Sequence, residues 1–280
     1  MFGIQRCEDK NVTTIPNYTN LMGEICVAQI LNVNIQSIHK DDLLVSLYDG
    51  ILFTPNVDHL VRLQKDRDFY CAYQQANWIV CDSVILQRLS GLLKKGVVES
   101  IPGSTFFHEY CDYHRGDEDS RIFILGGKSG VPQMAQANIN QRVGRNMVVG
   151  AHSPSFTFVD DEQECEGIIR MINESRASVL VVCATSPKQE NWIVKYKDRL
   201  PEVRLFMALG AAVDFEAGTV QRCPLFIQRL GMEWFWRFTQ EPKRLFKRYF
   251  VDDMKFFWYF GKQLLGIYKN PFEKVIGNEG

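Results

Sequence analysis

A dense polar segment, Ser186-Pro187-Lys188-Gln189-Glu190, directly follows the apolar run Val179–Cys183. A cluster of hydrogen-bond donors and acceptors at this place is a candidate ligand site, because ligands of open α/β sheets bind outside the carboxyl ends of the strands. The same residues also fit a helix start, with Ser186 as the N-cap, Pro187 at the first position and Gln189 in a capping box. The segment alone does not separate a binding site from a helix cap.

Two other loops carry candidate residues in the same relation to a short apolar run. Asp82 follows Trp78–Cys81 and is either a general base or a helix N-cap. Thr54 and Asn56 follow another run, and they can hydrogen-bond a sugar or a nucleotide or cap the next helix. These three side chains are therefore candidates for sugar or nucleotide chemistry, with helix capping as the alternative for each.

Phosphate binding and further acid–base candidates lie in three more loops. Gly126–Gly130 is a glycine-rich turn that carries Lys128 and suits a phosphate group, although it is neither a Walker A motif nor a full dinucleotide fingerprint. His152 lies among small residues and is either catalytic or structural. Asp214 competes with Asp82 for the position of general base.

The elements that must position these residues alternate along the chain. Short apolar runs, each followed by small or polar residues and a helix-like stretch, predict a Rossmann-like parallel α/β sheet flanked by helices, with all the loops on one edge. The runs cover residues 50–53, 78–81, 122–125, 147–149, 179–183 and 205–209. Helices are predicted over 41–48, 57–75, 84–93, 131–142 and 161–176, strands with a turn over 24–38, and a charged loop over 112–120.

Composition excludes several classes of protein. With 280 residues, 46% of them hydrophobic, the chain is expected to be globular, and its net charge of -1 argues against a general nucleic-acid binder. The eight cysteines are scattered and show no paired or metal-ligand spacing, which predicts free thiols in a reducing compartment. We expect no signal peptide, and no run of about 18 apolar residues predicts a transmembrane helix. These features predict a cytoplasmic protein.

The C-terminal part has a different composition. Residues 222–270 carry ten lysines and arginines against four acids, a net charge of +6, together with fourteen aromatic residues. A basic, aromatic-rich helical segment is typical of an element that lies on a membrane surface, and the alternative is an ordinary helix pair with a solvated basic face. We therefore divide the chain into a polar leader (1–20), a Rossmann-like domain (21–221) and a helical appendage (222–280), with Pro242 between two helices.

Taken in order, the motifs resemble the WecG/TagA/CpsF glycosyltransferase family over roughly residues 50–250. The matching motifs are Thr54-Pro55-Asn56, Asp82, Gly150-x-His152-Ser153-Pro154, Pro187-Lys188-Gln189-Glu190, Asp214-Phe215-x-Ala217-Gly218, Arg222-x-Pro224, Gly231-Met232-Glu233-Trp234 and Glu241-Pro242-x-Arg244. The resemblance implies a Rossmann-like domain with a C-terminal appendage, bound peripherally to the inner face of the plasma membrane. It also implies inverting, metal-independent transfer of a sugar from a nucleotide donor to a lipid-diphosphate-linked acceptor, without a cofactor.

The resemblance assigns residues and substrates as well. It places the catalytic base on Asp82. Donor binding is expected of Thr54, Asn56, Lys128, His152, Gln189, Glu190, Asp214 and Arg222. The expected donor is a UDP-sugar (of N-acetylmannosamine type, its uronic acid, or glucose), and the expected acceptor is a glycan linked to undecaprenyl diphosphate. An anionic membrane surface is the third expected partner, and self-association into a homo-oligomer is left open.

Two departures from the family pattern leave an alternative function open. Family members usually carry Asp-Gly where this chain has Asp82-Ser83, and an arginine where it has Ser100. The arginine would meet the diphosphate, so Lys128 or Arg222 is expected to supply that charge instead. The alternative is a catalytically inactive nucleotide-sugar-binding subunit of a polysaccharide assembly complex.

Overall fold

The structure is a computed structural model that describes residues 25–224, 227, 233–240 and 242–273. It begins with an antiparallel ribbon and continues into a sheet of six parallel strands, which confirms the predicted α/β class. The ribbon is β1 (Cys26–Ile30) and β2 (Val33–Ser37), and the sheet strands are β3 (Gly50–Phe53), β4 (Trp78–Ile79), β5 (Ile122–Gly126), β6 (Val148–His152), β7 (Val179–Cys183) and β8 (Leu205–Ala208). Across the sheet their order is β4-β3-β8-β7-β5-β6.

Helices connect the strands and continue into the C-terminal part. In chain order they are α1 (Lys40–Ser46), α2 (Val57–Arg62), α3 (Arg67–Gln74), α4 (Val84–Ser90), α5 (Gly103–Tyr113), α6 (Val131–Val143), α7 (Glu162–Ser175), α8 (Lys188–Tyr196), α9 (Ala212–Glu216), α10 (Glu233–Gln240), α11 (Pro242–Lys247) and α12 (Met254–Leu264). A π-helical turn, Arg248–Asp252, lies between α11 and α12. Pro242 begins α11, as expected from its place between two helices.

Both faces of the parallel sheet are covered. In β7, Leu180 and Val182 enter one hydrophobic layer, while Val179 and Val181 enter the other. Every residue of β7 is buried, which explains why this strand is a continuous apolar run rather than an alternating one. Because all six strands are parallel, the loops that follow them lie along one edge, where α/β proteins bind their ligands.

Two of the predicted elements are wrong in their extent. The stretch 57–75 is two helices, because the Asp66 carboxylate accepts a hydrogen bond from the Phe69 amide at 3.0 Å and begins a second helix. The charged loop predicted over 112–120 starts later, since α5 continues through Tyr113 and a 3₁₀ turn covers His114–Gly116. In both places local hydrogen bonds set where the helix begins or ends, and the hydrophobic pattern of the sequence does not show those hydrogen bonds.

The last helix packs against the sheet domain. Phe256 and Phe260 of α12 are buried in the same hydrophobic layer as one face of the sheet. Beyond them, the Gln263 side chain accepts a hydrogen bond from the Leu31 amide at 2.9 Å, in the turn of the β1–β2 ribbon. The described end of the chain is therefore built into the domain surface, and the division proposed at residue 221 stays a prediction.

Several composition-based expectations concern residues that the structure describes only in part. Seven cysteines lie within the described residues, and all seven are free thiols. Cys7 and the polar leader 1–20 lie outside them. In the part of the chain that is described, no helix has the length and apolar character needed to cross a membrane.

Candidate active site

Loops after four neighbouring strands form the centre of the site. Thr54 and Asn56 follow β3, and Asp82 follows β4 at the edge of the sheet. On the other side of β3, Asp214 follows β8 in α9, and Gln189 follows β7 in α8. The structure therefore brings five of the predicted site residues to one end of the carboxyl edge.

The Asp82 carboxylate lies at the start of α5. Its Oδ1 accepts a hydrogen bond from the amide of Gly103, the first residue of α5, at 3.0 Å. The positive end of the helix dipole stabilises a negative charge at this place. Asp82 does not cap α4, because Ser83 holds that position and its hydroxyl accepts a hydrogen bond from the Leu86 amide. Asp82 is therefore not the N-cap of α4, although its carboxylate accepts the first amide of α5 as a capping group does.

Ser83, where the resemblance led us to expect glycine, adopts ordinary backbone geometry. Its backbone angles, φ -124° and ψ 120°, lie in the extended region that any residue adopts. Its hydroxyl also supplies the N-cap of α4, which glycine would lack. The Asp82-Ser83 departure from the family pattern thus leaves the position of the carboxylate compatible with ordinary backbone geometry.

Thr54 lies on the other side of Gly103. A methyl group placed on Gly103 would lie 3.4 Å from the Thr54 hydroxyl oxygen and 3.1 Å from the Leu209 side chain. The loops after β3 and β8 therefore meet at the residue whose amide holds Asp82. The Thr54 hydroxyl and the Asp82 carboxylate therefore both lie close to the start of α5.

Asn56 contacts His59, which forms with Tyr73 a buried polar pair that the sequence did not indicate. Asn56 caps α2 by accepting a hydrogen bond from the His59 amide at 3.2 Å, so the capping alternative is correct for its side-chain oxygen. The His59 ring pairs with the Tyr73 hydroxyl at 2.8 Å. Burial lowers the pKa of His59 to about 3, so the ring is neutral at physiological pH. Burial, and then the nearby charges of Glu190 and Asp82, raise the pKa of Tyr73 well above its usual value.

Gln189 does not form the predicted capping box. α8 begins at Lys188, and Pro187 occupies the N-cap position without a side-chain hydrogen bond. The Gln189 side chain turns inward instead, and its Oε1 accepts hydrogen bonds from the Ala184 amide at 3.3 Å and the Gly210 amide at 3.0 Å. One buried amide thus joins the loop after β7 to the loop after β8, which explains why it is not used for capping.

Glu190 is one of the most buried carboxyl groups at this edge, with 1% of its surface exposed. Its Oε1 accepts a hydrogen bond from the side-chain Nε2 of Gln189 at 2.9 Å. Burial raises the pKa of Glu190 to about 7, against the opposing effects of the Gln189 hydrogen bond and the Arg62 charge. The carboxyl group therefore exists in both protonation states near neutral pH.

The raised pKa of Glu190 predicts a pH-dependent cost to folding. The folded protein binds the proton more tightly than the unfolded chain, so stability falls as the pH rises from about 4.5 to about 7 and does not recover above it. We expect Glu190→Gln, which cannot ionise, to gain up to about 3 kcal/mol in unfolding free energy relative to wild type between pH 5 and pH 8. Urea unfolding at the two pH values measures this, and a difference that does not change with pH would contradict it.

Lys128 and His152 lie at the far end of the carboxyl edge. Lys128 follows β5 and His152 ends β6, four and five strands away from β4. At about 4.8 Å per strand, this places them roughly 20 Å from the Asp82 loop. Lys188 is nearer, but its ammonium group donates to the Phe156 carbonyl at 2.7 Å and lies 4.0 Å from the centre of that ring.

Arg222 is held by a buried carboxylate. Its Nη2 lies 3.2 Å from Oε1 of Glu216 and 3.4 Å from the Ser104 carbonyl oxygen. The same carboxylate also binds Arg142 at 3.0 Å and His108 at 2.8 Å. Arg222 therefore links the end of the sheet domain to the start of α5, and the Glu216 carboxylate partly neutralises its charge.

Two other arginines gather next to the Gln189 loop. Arg62 donates from Nε to the Asp58 carboxylate at 2.9 Å and from Nη1 to the Ser186 carbonyl at 3.2 Å. Arg248, in the π-helical turn, lies 3.7 Å from the same Asp58 oxygen. The C-terminal part thus contacts α2 close to the loop before Gln189. The sequence did not reveal this pair, since Arg62 reads as one charge on a mixed helix face.

Comparison with known proteins agrees with this geometry. A family model for the glycosyl transferase WecG/TagA/CpsF family matches residues 28–270, which is most of the chain. The chain belongs to this family. The resemblance found over residues 50–250 is therefore confirmed and extends further in both directions. As a WecG/TagA/CpsF protein, it is a glycosyltransferase of cell-surface polysaccharide biosynthesis, a family that generally uses nucleotide-sugar donors and lipid-linked acceptors.

Within the described ranges, no three histidine, cysteine, aspartate or glutamate side chains lie close enough together to hold a metal ion. The metal independence expected from the resemblance stays a prediction.

Proposed function

We propose that the protein is an inverting glycosyltransferase that moves a sugar from a UDP-sugar to a glycan linked to undecaprenyl diphosphate. The observation that carries this proposal is the Asp82 carboxylate, held by the Gly103 amide at the positive end of α5 and beside Thr54. In one displacement, Asp82 takes the proton of the acceptor hydroxyl while that oxygen attacks the anomeric carbon. The bond from this carbon to the diphosphate breaks, and UDP leaves with the electron pair.

The departing diphosphate gains negative charge, which a positively charged group must stabilise. Arg222 and Lys128 were expected to supply it. Arg222 pairs with Glu216 and also contacts Ser104, next to the Gly103 that holds Asp82, whereas Lys128 follows β5, four strands away from β4. Arg62 and Arg248 are two further candidates, because both guanidinium groups lie at Asp58, beside the loop before Gln189. Guanidinium groups also match the geometry of phosphate oxygens.

The C-terminal part is proposed to dock on an anionic membrane surface. α12 buries Phe256 and Phe260 in the core, while other positions of the helix and the turn that follows it expose large apolar side chains. The exposed residues are Phe257, Trp258, Leu264, Leu265 and Ile267. Lys262 lies 4.9 Å from the centre of the Trp258 ring, so a cation accompanies this apolar face. Apolar insertion together with basic charge is the pattern of a peripheral membrane helix.

A second candidate function rests on Ser100. The family usually has an arginine at this position, and here the Ser100 hydroxyl is buried without a hydrogen-bond partner among the described residues. The neighbouring Glu99 binds the Lys40 amide at 3.0 Å and the His39 ring at 3.2 Å. A protein that has lost this arginine but keeps the pocket would be a nucleotide-sugar-binding subunit without turnover.

A donor panel separates the two functions. UDP-N-acetylmannosamine, its uronic acid and UDP-glucose are incubated in EDTA with a short-chain isoprenyl-diphosphate-linked sugar, and UDP binding is measured calorimetrically in parallel. The proposed function predicts transfer from one donor in the absence of a free divalent metal. UDP binding without transfer from any donor would favour the non-catalytic subunit, and transfer only after Mg²⁺ is restored would contradict metal independence.

A further inference from the structure

Glu190 was expected to bind the donor, yet its position in the fold indicates a different task. Its carboxyl group is buried, and its Oε1 accepts a hydrogen bond from Nε2 of Gln189 at 2.9 Å. An amide side chain can present either its oxygen or its nitrogen to a neighbour, and only the surrounding partners fix the choice. Because the Glu190 carboxyl accepts a hydrogen bond, Nε2 of Gln189 must point toward Glu190. The Gln189 side-chain oxygen then faces the opposite way.

On the side of Gln189 that faces away from Glu190, two backbone amides of the site loops need a hydrogen-bond acceptor. Gln189 Oε1 receives the amides of Ala184 and Gly210, which follow β7 and β8. If the amide were reversed, an NH₂ group would face two N–H donors, and both backbone amides would lose this acceptor. The orientation of one side chain therefore decides whether the loops after β7 and β8 are held together.

The loop after β8 in turn contacts the proposed catalytic base region. Leu209, next to Gly210, packs against Gly103, because a methyl group on Gly103 would lie 3.1 Å from the Leu209 side chain. Gly103 donates its amide to Asp82 at 3.0 Å. Glu190 is thus linked to Asp82 through Gln189, the loop after β8 and Gly103.

From this geometry we infer that Glu190 is a positioning residue, which orients the Gln189 amide and thereby shapes the donor pocket without touching the donor. The inference rests on the proposed function, since it concerns the same pocket. The Glu190 carboxyl accepts from Gln189 in either protonation state, because a proton on Oε2 leaves Oε1 as an acceptor. The hydrogen bond from Gln189 to Glu190 therefore persists on both sides of neutral pH.

Paired substitutions at the two positions test this inference. Glu190→Gln keeps an acceptor oxygen opposite Gln189, whereas Glu190→Leu removes it. Gln189→Glu sets two carboxyl groups against each other, and the double variant Gln189→Glu with Glu190→Gln restores one hydrogen bond with donor and acceptor exchanged. For each variant, the donor KM, the acceptor KM, kcat and the Kd for UDP are measured well below its melting temperature.

We expect Glu190→Leu and Gln189→Glu to raise the donor KM and the UDP Kd at least 10-fold with little change in the acceptor KM. Glu190→Gln and the double variant should stay within about 3-fold of wild type, corresponding to about 0.6 kcal/mol. A purely structural role would lower the active fraction and hence the apparent kcat, and leave the donor KM unchanged.

Three results would overturn the inference or its basis. A wild-type donor KM in Glu190→Leu would show that the orientation of Gln189 does not depend on Glu190. Equal damage in Glu190→Gln and Glu190→Leu would show that the carboxylate itself acts on the donor. A wild-type protein that neither binds UDP nor transfers sugar would overturn the proposed function itself, and the positioning inference would fall with it.

Discussion

Asp82→Asn is expected to lower kcat by about 10²–10⁴-fold, the usual contribution of a general base. The substitution removes the group that takes the proton but keeps an oxygen that can accept the Gly103 amide, so the start of α5 should stay in place. The donor KM and the melting temperature should therefore change little. Steady-state transfer kinetics and thermal unfolding of the two proteins measure these quantities side by side.

Asp214→Asn is the matched control for this experiment. Asp214 was the other candidate base, and it lies in α9 after β8, on the far side of β3 from Asp82. We expect Asp214→Asn to retain kcat within about 10-fold, since it leaves the proton acceptor in place. A fully active Asp82→Asn variant together with an inactive Asp214→Asn variant would reverse the assignment of the base.

Replacement of Trp258 and Leu265 by glutamate is expected to abolish binding to anionic vesicles. Their side chains are 66% and 76% exposed, so the folded protein should tolerate the change. Burying one large apolar side chain is worth about 1.5–3 kcal/mol, so losing two weakens partitioning by roughly 10²–10⁴-fold. Co-sedimentation with vesicles that contain phosphatidylglycerol measures the binding, and turnover on a water-soluble acceptor should stay close to wild type.

Leu92→Glu provides the control for a general effect of adding acid to an exposed apolar position. Leu92 is 63% exposed and lies beyond α4, outside the C-terminal part. Equal loss of vesicle binding in Leu92→Glu and in the double variant would contradict a specific docking face. Point variants are preferable to deletion after Gln221, because deletion would also remove Phe256 and Phe260 from the core.

The sheet could be predicted from the sequence because its strands are buried on both faces. Runs such as Val179–Cys183 stay apolar at every position, and each ends in a polar loop. The order of the strands was not predictable in this way, since it depends on contacts between distant segments. It is this order that separates Lys128 and His152 from Asp82, although all three follow strands of one sheet.

Within the site, local patterns indicated the residues but not their partners. Gln189 satisfies the spacing of a capping box, and only the fold shows that its amide is used by Ala184 and Gly210 instead. The pairing of His59 with Tyr73 likewise joins two helices, so neither residue stood out alone. Capping and ligand binding use the same residue types, and tertiary contacts decide between them.

The stereochemistry of the product distinguishes single from double displacement, because direct attack by an acceptor oxygen activated by Asp82 inverts the anomeric carbon. The glycolipid made by the wild-type protein from its preferred UDP-sugar is isolated, and the anomeric configuration of the new bond is determined by NMR. We expect the configuration opposite to that of the donor. Retention of the donor configuration would contradict a single displacement, and with it the assignment of Asp82 as the base.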